Sequence, residues 1–161
     1  MDNPRLKVYV DGGSRGNPGE CAVGMVVVDG EGREIARLGK RIGEGTNNSA
    51  EYRALLEALE YIERREREEG APLRATVCSD SELVVRQLEG EYKVRAGHLE
   101  GLYLRVRDIL RAKPHIKITH VKREKNKVAD WIVNRVLDGK PYRPADRSRE
   151  VARTSEESPG S

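Results

Sequence analysis

The sequence predicts an α/β fold on a five-stranded mixed sheet, and three observations predict it. Three β-rich runs follow one another through short turns, the pattern of an antiparallel meander. Two further β-runs, at 73–79 and 116–121, are each preceded by helical patterns, as parallel crossovers require. The length, 161 residues, suits one domain with its own buried core.

Residues 6–10 (LKVYV) alternate and are rich in β-formers, so a strand is predicted that closes at Asp11. It runs into DGGSRGNPG, whose four glycines and one proline in nine residues read as turn chemistry. Residues 21–28 (CAVGMVVV) form a nearly continuous apolar strand, and the turn at 29–32 (DGEG) returns the chain into a third strand near 33–41. Gly43, Gly45, Thr46, Asn47 and Asn48 read as a loop. Leu55, Ala58, Leu59 and Ile62 recur at helical spacing, predicting an amphipathic helix over 49–68 that Gly70 and Pro72 end. The strand at 73–79 (LRATVCS) stops at Asp80. A short helix is predicted over 81–89, and a longer one over 98–112 with Leu99, Leu102, Val106 and Ile109 inward. Pro114 separates it from the fifth strand, 116–121 (IKITHV). The last helix spans about 126–138, with Ala129, Ile132, Val133, Val136 and Leu137 as its buried stripe. Beyond Gly139 the chain is rich in Pro, Ser and mixed charge. It has little to bury, so residues 139–161 are predicted to be a disordered tail on a 1–138 domain.

Composition excludes several classes. Charged residues make up 35%, yet 30 Lys+Arg against 27 Asp+Glu leave a net charge of only +3, so the placement of charge must identify any nucleic-acid partner. Cys21 and Cys78 supply neither a disulfide framework nor a zinc quartet. No apolar run approaches the ~18–20 residues of a membrane span. MDNPRLKVYV lacks the apolar segment of a signal peptide. The expectation is a cytoplasmic monomer that does not engage membranes.

The informative residues are four carboxylates at junctions. Asp11 follows the first strand and Asp80 the fourth, while Glu51 and Asp130 lie in the first turns of the first and last long helices. Sites in α/β sheets gather at strand ends and helix starts. Four acids within a few ångströms cannot all stay ionised without cations. Oxygen-only ligation points to Mg²⁺ or Mn²⁺ rather than zinc. Two such ions about 3.5–4 Å apart can hold the attacking water and the leaving oxygen of a phosphodiester. Each acid alone has another reading: Glu51 as the returning acid of an Asn48–Glu51 capping box, Asp80 as a helix N-cap, Asp130 as a helix-dipole partner and Asp11 as a turn residue. Four such coincidences at four junctions are far rarer than any one.

The blocks DGGSRGNPG (11–19), TNNSAEYRALLEALE (46–60), CSDSELVVRQL (78–88) and REKNKVADWIVNRVL (123–137) together resemble ribonuclease H type 1, in order and over about residues 5–137. The resemblance implies the ribonuclease H-like fold and a two-ion site made by Asp11, Glu51, Asp80 and Asp130. In it Asp11 bridges both ions, Glu51 and Asp80 complete the ion near the leaving 3′ oxygen, and Asp130 the ion that activates water. It implies endonucleolytic cleavage of the RNA strand of an RNA–DNA hybrid, giving 5′-phosphate and 3′-hydroxyl ends. Asn17, Asn47 and Asn48 match positions that contact the minor groove, which in an A-like duplex is wide, shallow and lined with 2′-hydroxyls. Gly12, Gly13 and Ser14 are expected to let the backbone approach RNA, and Thr46 to hold a phosphate of the DNA strand. Residues 111–127 carry seven Lys/Arg, Lys122 and Lys125 among them, against one acid, Glu124; beside an acidic metal site this reads as a phosphate-facing ledge. Two alternatives stay open: a nuclease of the same fold that also cuts double-stranded RNA, and a non-catalytic hybrid-binding module.

The chain departs from the family in two places. Arg123, seven residues before Asp130, stands where many members carry a histidine. Arginine stays protonated and cannot act as a general base, so a role in steering phosphate or releasing product is expected. His115 and His120 read as structural. Residues 86–107 lack tryptophan and their bases are diluted by glutamates, so the substrate-gripping basic protrusion is absent. Lys93 and Arg95 are expected to assist the 111–127 ledge instead. Trp131 reads as a packing or partly exposed aromatic. The pattern resembles an archaeal-type short form without the N-terminal hybrid-binding domain.

Overall fold

Residue-for-residue pairing of the first two strands sets the architecture. The structure, a computed structural model, describes residues 4–95 and 97–143. Strands β1 (Leu6–Gly16), β2 (Gly19–Asp29) and β3 (Glu34–Gly45) form the predicted meander. Helix α1 (Asn47–Glu69), β4 (Ala75–Ser79), α2 (Glu82–Leu88), α3 (Gly97–Ala112), β5 (Ile116–His120) and α4 (Lys127–Leu137) follow. The sheet order is β3-β2-β1-β4-β5; β1 runs antiparallel to β2 and parallel to β4, and β5 runs parallel to β4.

The expected boundaries shift where glycines were read as loop. Strand β1 does not close at Asp11 but runs five residues further, paired to β2 from Asp11↔Gly24 to Gly16↔Gly19. Only Asn17 and Pro18 turn the chain. Glycine disfavours a strand through entropy, but here the facing backbone satisfies its hydrogen bonds at every step. Strand β3 likewise absorbs Gly43 and Gly45, and α1 starts at Asn47 with Thr46 as its cap, so Asn47 and Asn48 are helical rather than loop. The predicted tail also begins later. Lys140 N–H donates to Arg135 O (2.8 Å), Arg37 Nη1 to Tyr142 O (2.9 Å) and Tyr142 OH to Gly39 O (3.3 Å). Gly39 makes the room, since a Cβ there would lie 3.1 Å from the Tyr142 ring. The remainder of that prediction, 144–161, lies outside the described residues.

Alternate strand residues face opposite sides. Val8, Val10, Val23, Met25 and Val27 pack with Leu55, Leu59 and Ile62 of α1, and with Leu99 and Val106 of α3, in the main core. Gly12 shares that face: a Cβ there would sit 2.2 Å from Ala50 O and 2.7 Å from Glu51 N. On the other face α4 buries Ala129, Ile132 and Val133. A Cβ on Gly24 would meet Ala129 O at 2.6 Å, and one on Gly13 would meet Val133 Cγ1 at 3.2 Å. Far from this end, Glu66 accepts from Leu73 N–H (2.8 Å) and pairs with Lys113 Nζ (2.9 Å) and His115 Nε2 (2.7 Å). His115 is thereby structural, one residue before β5. Among the described residues no helix is long and apolar enough to cross a membrane.

The Gly24 approach yields a test of the packing. Gly24→Ala drives a methyl into backbone that cannot rotate away, so it is expected to destabilise the fold by about 1–3 kcal/mol in urea unfolding. An unchanged midpoint would show that α4 is free to move off the sheet.

Candidate metal and nucleic-acid site

The β1–β4 ladder ends at the Val10↔Ser79 pair, so Asp11 and Asp80 are the next residues on two adjacent tracks. Asp11 is buried at 7% exposure, Glu51 and Asp80 are half-buried, and Asp130 is exposed in the first turn of α4. Carboxylate oxygens of Asp11, Glu51 and Asp80 lie within 4.8 Å of one another. Asp130 stands outside that trio, in the first turn of α4, close enough for its charge to act on Asp11. Asp11 is therefore the centre of the four.

The other readings of Glu51 and Asp80 are taken by other residues. The capping box of α1 is made by Thr46 and Ser49: Thr46 Oγ1 accepts from Ser49 N–H (3.1 Å) and Ser49 Oγ accepts from Thr46 N–H (2.9 Å). Glu51 instead accepts from Gly12 N–H at 3.2 Å, across 39 residues. Helix α2 is capped by Ser81, which accepts from Val84 N–H, and not by Asp80.

Burial first, and then the charges of Asp80 and Asp130, push the Asp11 carboxyl up to about 8 against the opposing Gly12 N–H. Glu51 is held well above the usual carboxylate range by burial and then by Asp11 and Asp80, again against the Gly12 N–H. Asp11 and Glu51 so placed retain protons beyond the ordinary carboxylate range, or ionise around a compensating cation. With carboxylate oxygens alone and no histidine or thiol, the trio fits a hard divalent ion such as Mg²⁺ or Mn²⁺.

A second constellation lies on β1 and the start of α1. Asn47 Oδ1 accepts from Ser14 N–H (3.0 Å), and Asn17 Oδ1 accepts from Asn47 N–H (2.9 Å). Their carbonyls are thus engaged, which leaves the side-chain NH₂ groups as donors. Thr46 Oγ1 is also bonded to His98 Nε2 (3.2 Å) at the start of α3. Asn48 stands apart, lining a groove of about 550 Å³ with Tyr92, Lys93 and Arg95. Gly12 does not face open solvent as expected, because α1 backbone fills the space its missing side chain leaves. Gly13 and Ser14 remain half-buried.

Lys122, Arg123 and Lys125 are exposed on and beside a 3-10 turn (Arg123–Lys125). Among the described residues none of the three has an acidic partner, and no hydrogen bond joins them to the four acids. Trp131 is 41% exposed, with the guanidinium groups of Arg37 (5.8 Å) and Arg135 (5.1 Å) near its ring, the partly exposed one of the two readings. Two residues at the site escape sequence reasoning: His98, which carried no signal, and Asn126, which is 1% exposed but reads in sequence as an ordinary helix start.

The chain matches the Reverse transcriptase-like family over residues 9–136. It is 42% identical over 142 residues to the ribonuclease HI of Halobacterium salinarum, covering 83% of this chain and 65% of that protein. It is 35% identical over 160 residues to a bifunctional protein of Mycobacterium tuberculosis, covering 97% of this chain and 43% of that one. The chain thus spans just under two thirds of the length of the first relative and less than half of the second. The structure of LC11-RNase H1, isolated from compost by a metagenomic approach, in complex with an RNA/DNA hybrid matches with a TM-score of 0.76. The identity is 38%, over 83% of this chain and 96% of that one. The five-stranded mixed sheet is that of the ribonuclease H-like fold.

The raised Asp11 fixes a sign for stability against pH. An ordinary Asp titrates at 3.8 and the folded one at about 8, so between these values the folded state binds the extra proton and stability falls as pH rises. In EDTA, Tm is expected to decline between about pH 5 and pH 8. Mn²⁺ should restore more stability at the upper end, and Asp11→Asn should flatten the decline. A wild-type Tm that climbs through this window would show that the acids are not under mutual strain.

Proposed function

Since the chain belongs to the ribonuclease H type 1 family, we propose that it hydrolyses the RNA strand of RNA–DNA hybrids endonucleolytically, with two Mg²⁺ or Mn²⁺ ions. The observation that carries this reading is the buried Asp11 at the centre of three other acids, an arrangement that is electrostatically unfavourable without cations. Asp11 lies within 4.8 Å of Glu51 and Asp80 and feels the charge of Asp130, so it would be the ligand shared between the ions. Glu51 and Asp80 would help hold one ion and Asp130 the other, as the family resemblance implies. When bound, such ions lower the pKa of water and stabilise charge on the leaving oxygen. Water then adds to phosphorus as the P–O3′ bond breaks, giving a 5′-phosphate on one fragment and a 3′-hydroxyl on the other.

The remaining residues position the duplex. Asn17 and Asn47, with their carbonyls tied down, present NH₂ donors to groove acceptors without demanding a base sequence. Asn48 extends this contact from the first turn of α1, Gly13 and Ser14 give the RNA backbone room, and Thr46 holds a phosphate of the DNA strand. Lys122 and Lys125, without acidic partners, take further phosphates. Arg123 steers phosphate or product rather than protons. The hybrid bound in LC11-RNase H1 supports this substrate class. On this reading the catalytic unit is residues 1–138, with Lys140 and Tyr142 bonded back onto it, and its two buried free cysteines fit a reducing compartment such as the cytoplasm.

The test is one end-labelled RNA, single-stranded, paired with DNA and paired with RNA, incubated in Mg²⁺, in Mn²⁺ and in EDTA. Internal cuts confined to the hybrid and absent in EDTA are expected. Equal cutting of the RNA duplex would widen the substrate, and hybrid retardation without any cutting would leave a binding module. Asp80→Asn should lower cleavage at least about 10²-fold while hybrid binding persists. Arg123→Ala should slow turnover and leave metal-dependent cutting in place; complete loss would show that its role is misassigned.

A further inference from the structure

We infer that Asn126 is a positioning residue for the metal site, a side-chain strut that fixes α4, and Asp130 with it, against the strand that carries Asp11. The inference rests on the metal-dependent reading above. Asn126 is the residue before Lys127, where a helix N-cap belongs. An asparagine there ordinarily turns its side-chain oxygen back to accept from the second or third helical N–H. This one makes no such bond. Its side chain turns inward, and Nδ2 donates to Val10 O at 2.8 Å across 116 residues of sequence. It is 1% exposed, whereas Lys122, Arg123, Glu124, Lys125, Lys127 and Val128 around it are all exposed.

Val10 O belongs to the peptide that leads into Asp11, at the last pair of the β1–β4 ladder. The backbone oxygen of Asn126 accepts from Asp130 N–H at 3.1 Å. One residue thus grips the peptide of the buried acid with its side chain and that of the exposed acid with its main chain. The charges of Asp11 and Asp130 act on each other and repel when both are ionised, so a tie between their backbones opposes the drift that repulsion would cause.

Stability does not account for this arrangement. Asn126 Oδ1 is buried without a hydrogen-bond partner, and the first turn of α4 forgoes its side-chain cap. Both are unfavourable to folding. A residue that breaks two local rules beside the reactive carboxylates is accounted for by what it positions.

Asn126→Ser separates the two roles, because a serine hydroxyl can cap α4 but is too short to reach Val10 O. The full-length variant gains a cap and loses the orphaned oxygen but also loses the buried bond to Val10 O, so its melting temperature in EDTA is expected to stay close to that of wild type. Calorimetric titration with Mn²⁺, without nucleic acid, should show binding weakened by about 10-fold or more, as for other residues that orient metal ligands. Steady-state cleavage should show a lower kcat with KM for the hybrid unchanged. Asn126→Ala provides the same comparison without the new cap. If either folded variant binds Mn²⁺ and cleaves like wild type, or loses affinity only as far as it unfolds, the strut is overturned while the proposed function stands. If wild type itself binds no Mn²⁺, the metal reading falls and the strut with it.

Discussion

The site depends on how closely two helices approach one pair of strands. Helix α1 comes down on Gly12, the residue after Asp11, and α4 comes down on Gly24, its cross-strand partner. At both places a single methyl would collide with helix backbone: 2.2 Å from Ala50 O at Gly12, 2.6 Å from Ala129 O at Gly24. The strand alternation places these contacts on opposite faces, so Asp11 sits in a sheet clasped from both sides. Glu51 lies one residue beyond Ala50 and Asp130 one beyond Ala129, so the residues in closest contact with the sheet are the neighbours of the acids. Asp80 needs no such device, because the parallel ladder delivers it beside Asp11 when β4 stops at Ser79.

That clasp concentrates negative charge, and the rest of the molecule shows that it need not have done so. Glu66 is also largely buried, at 10% side-chain exposure, and burial raises its carboxyl. Hydrogen bonds from Lys113, from Leu73 N–H and from His115 outweigh burial and hold it below the ordinary range. At the opposite end Asp11 and Glu51 have one N–H between them, that of Gly12, and each other's charge besides. The same chemistry therefore runs in opposite directions at the two ends, stabilising at Glu66 and strained at Asp11. A buried acid with no counter-charge among the described residues either keeps its proton or ionises around a cation.

Much of this was legible in the sequence. Hydrophobic periodicity locates all nine regular elements, and four acids at four junctions single out the site before any coordinate is known. Element ends were less legible where glycine intervened: DGGSRGNPG reads as turn because glycine is rare in strands, yet backbone pairing with β2 keeps it extended as far as Gly16. The capping of α1 was hidden for a related reason, since Asn48 and Glu51 fit the sequence rule for a box that Thr46 and Ser49 form. Asn126 was hidden altogether. Nothing local distinguishes an asparagine that caps its own helix from one that bonds a carbonyl 116 residues away.

The charge balance shows why composition could not reveal a nucleic-acid surface. A net charge of +3 averages over two kinds of cation. Arg5, Arg15, Arg33, Arg41, Arg86 and Arg107 are spent on neighbouring carboxylates in exposed pairs, each of which contributes little to stability. Such pairs cancel in the far field as well as in the sum. Lys122, Arg123 and Lys125 cancel nothing among the described residues, and Asn126 anchors their turn from within. These three exposed side chains stand in the segment that leads into α4, the helix that carries Asp130. Net charge therefore understates the cation left free at this end, because it counts paired and unpaired side chains alike.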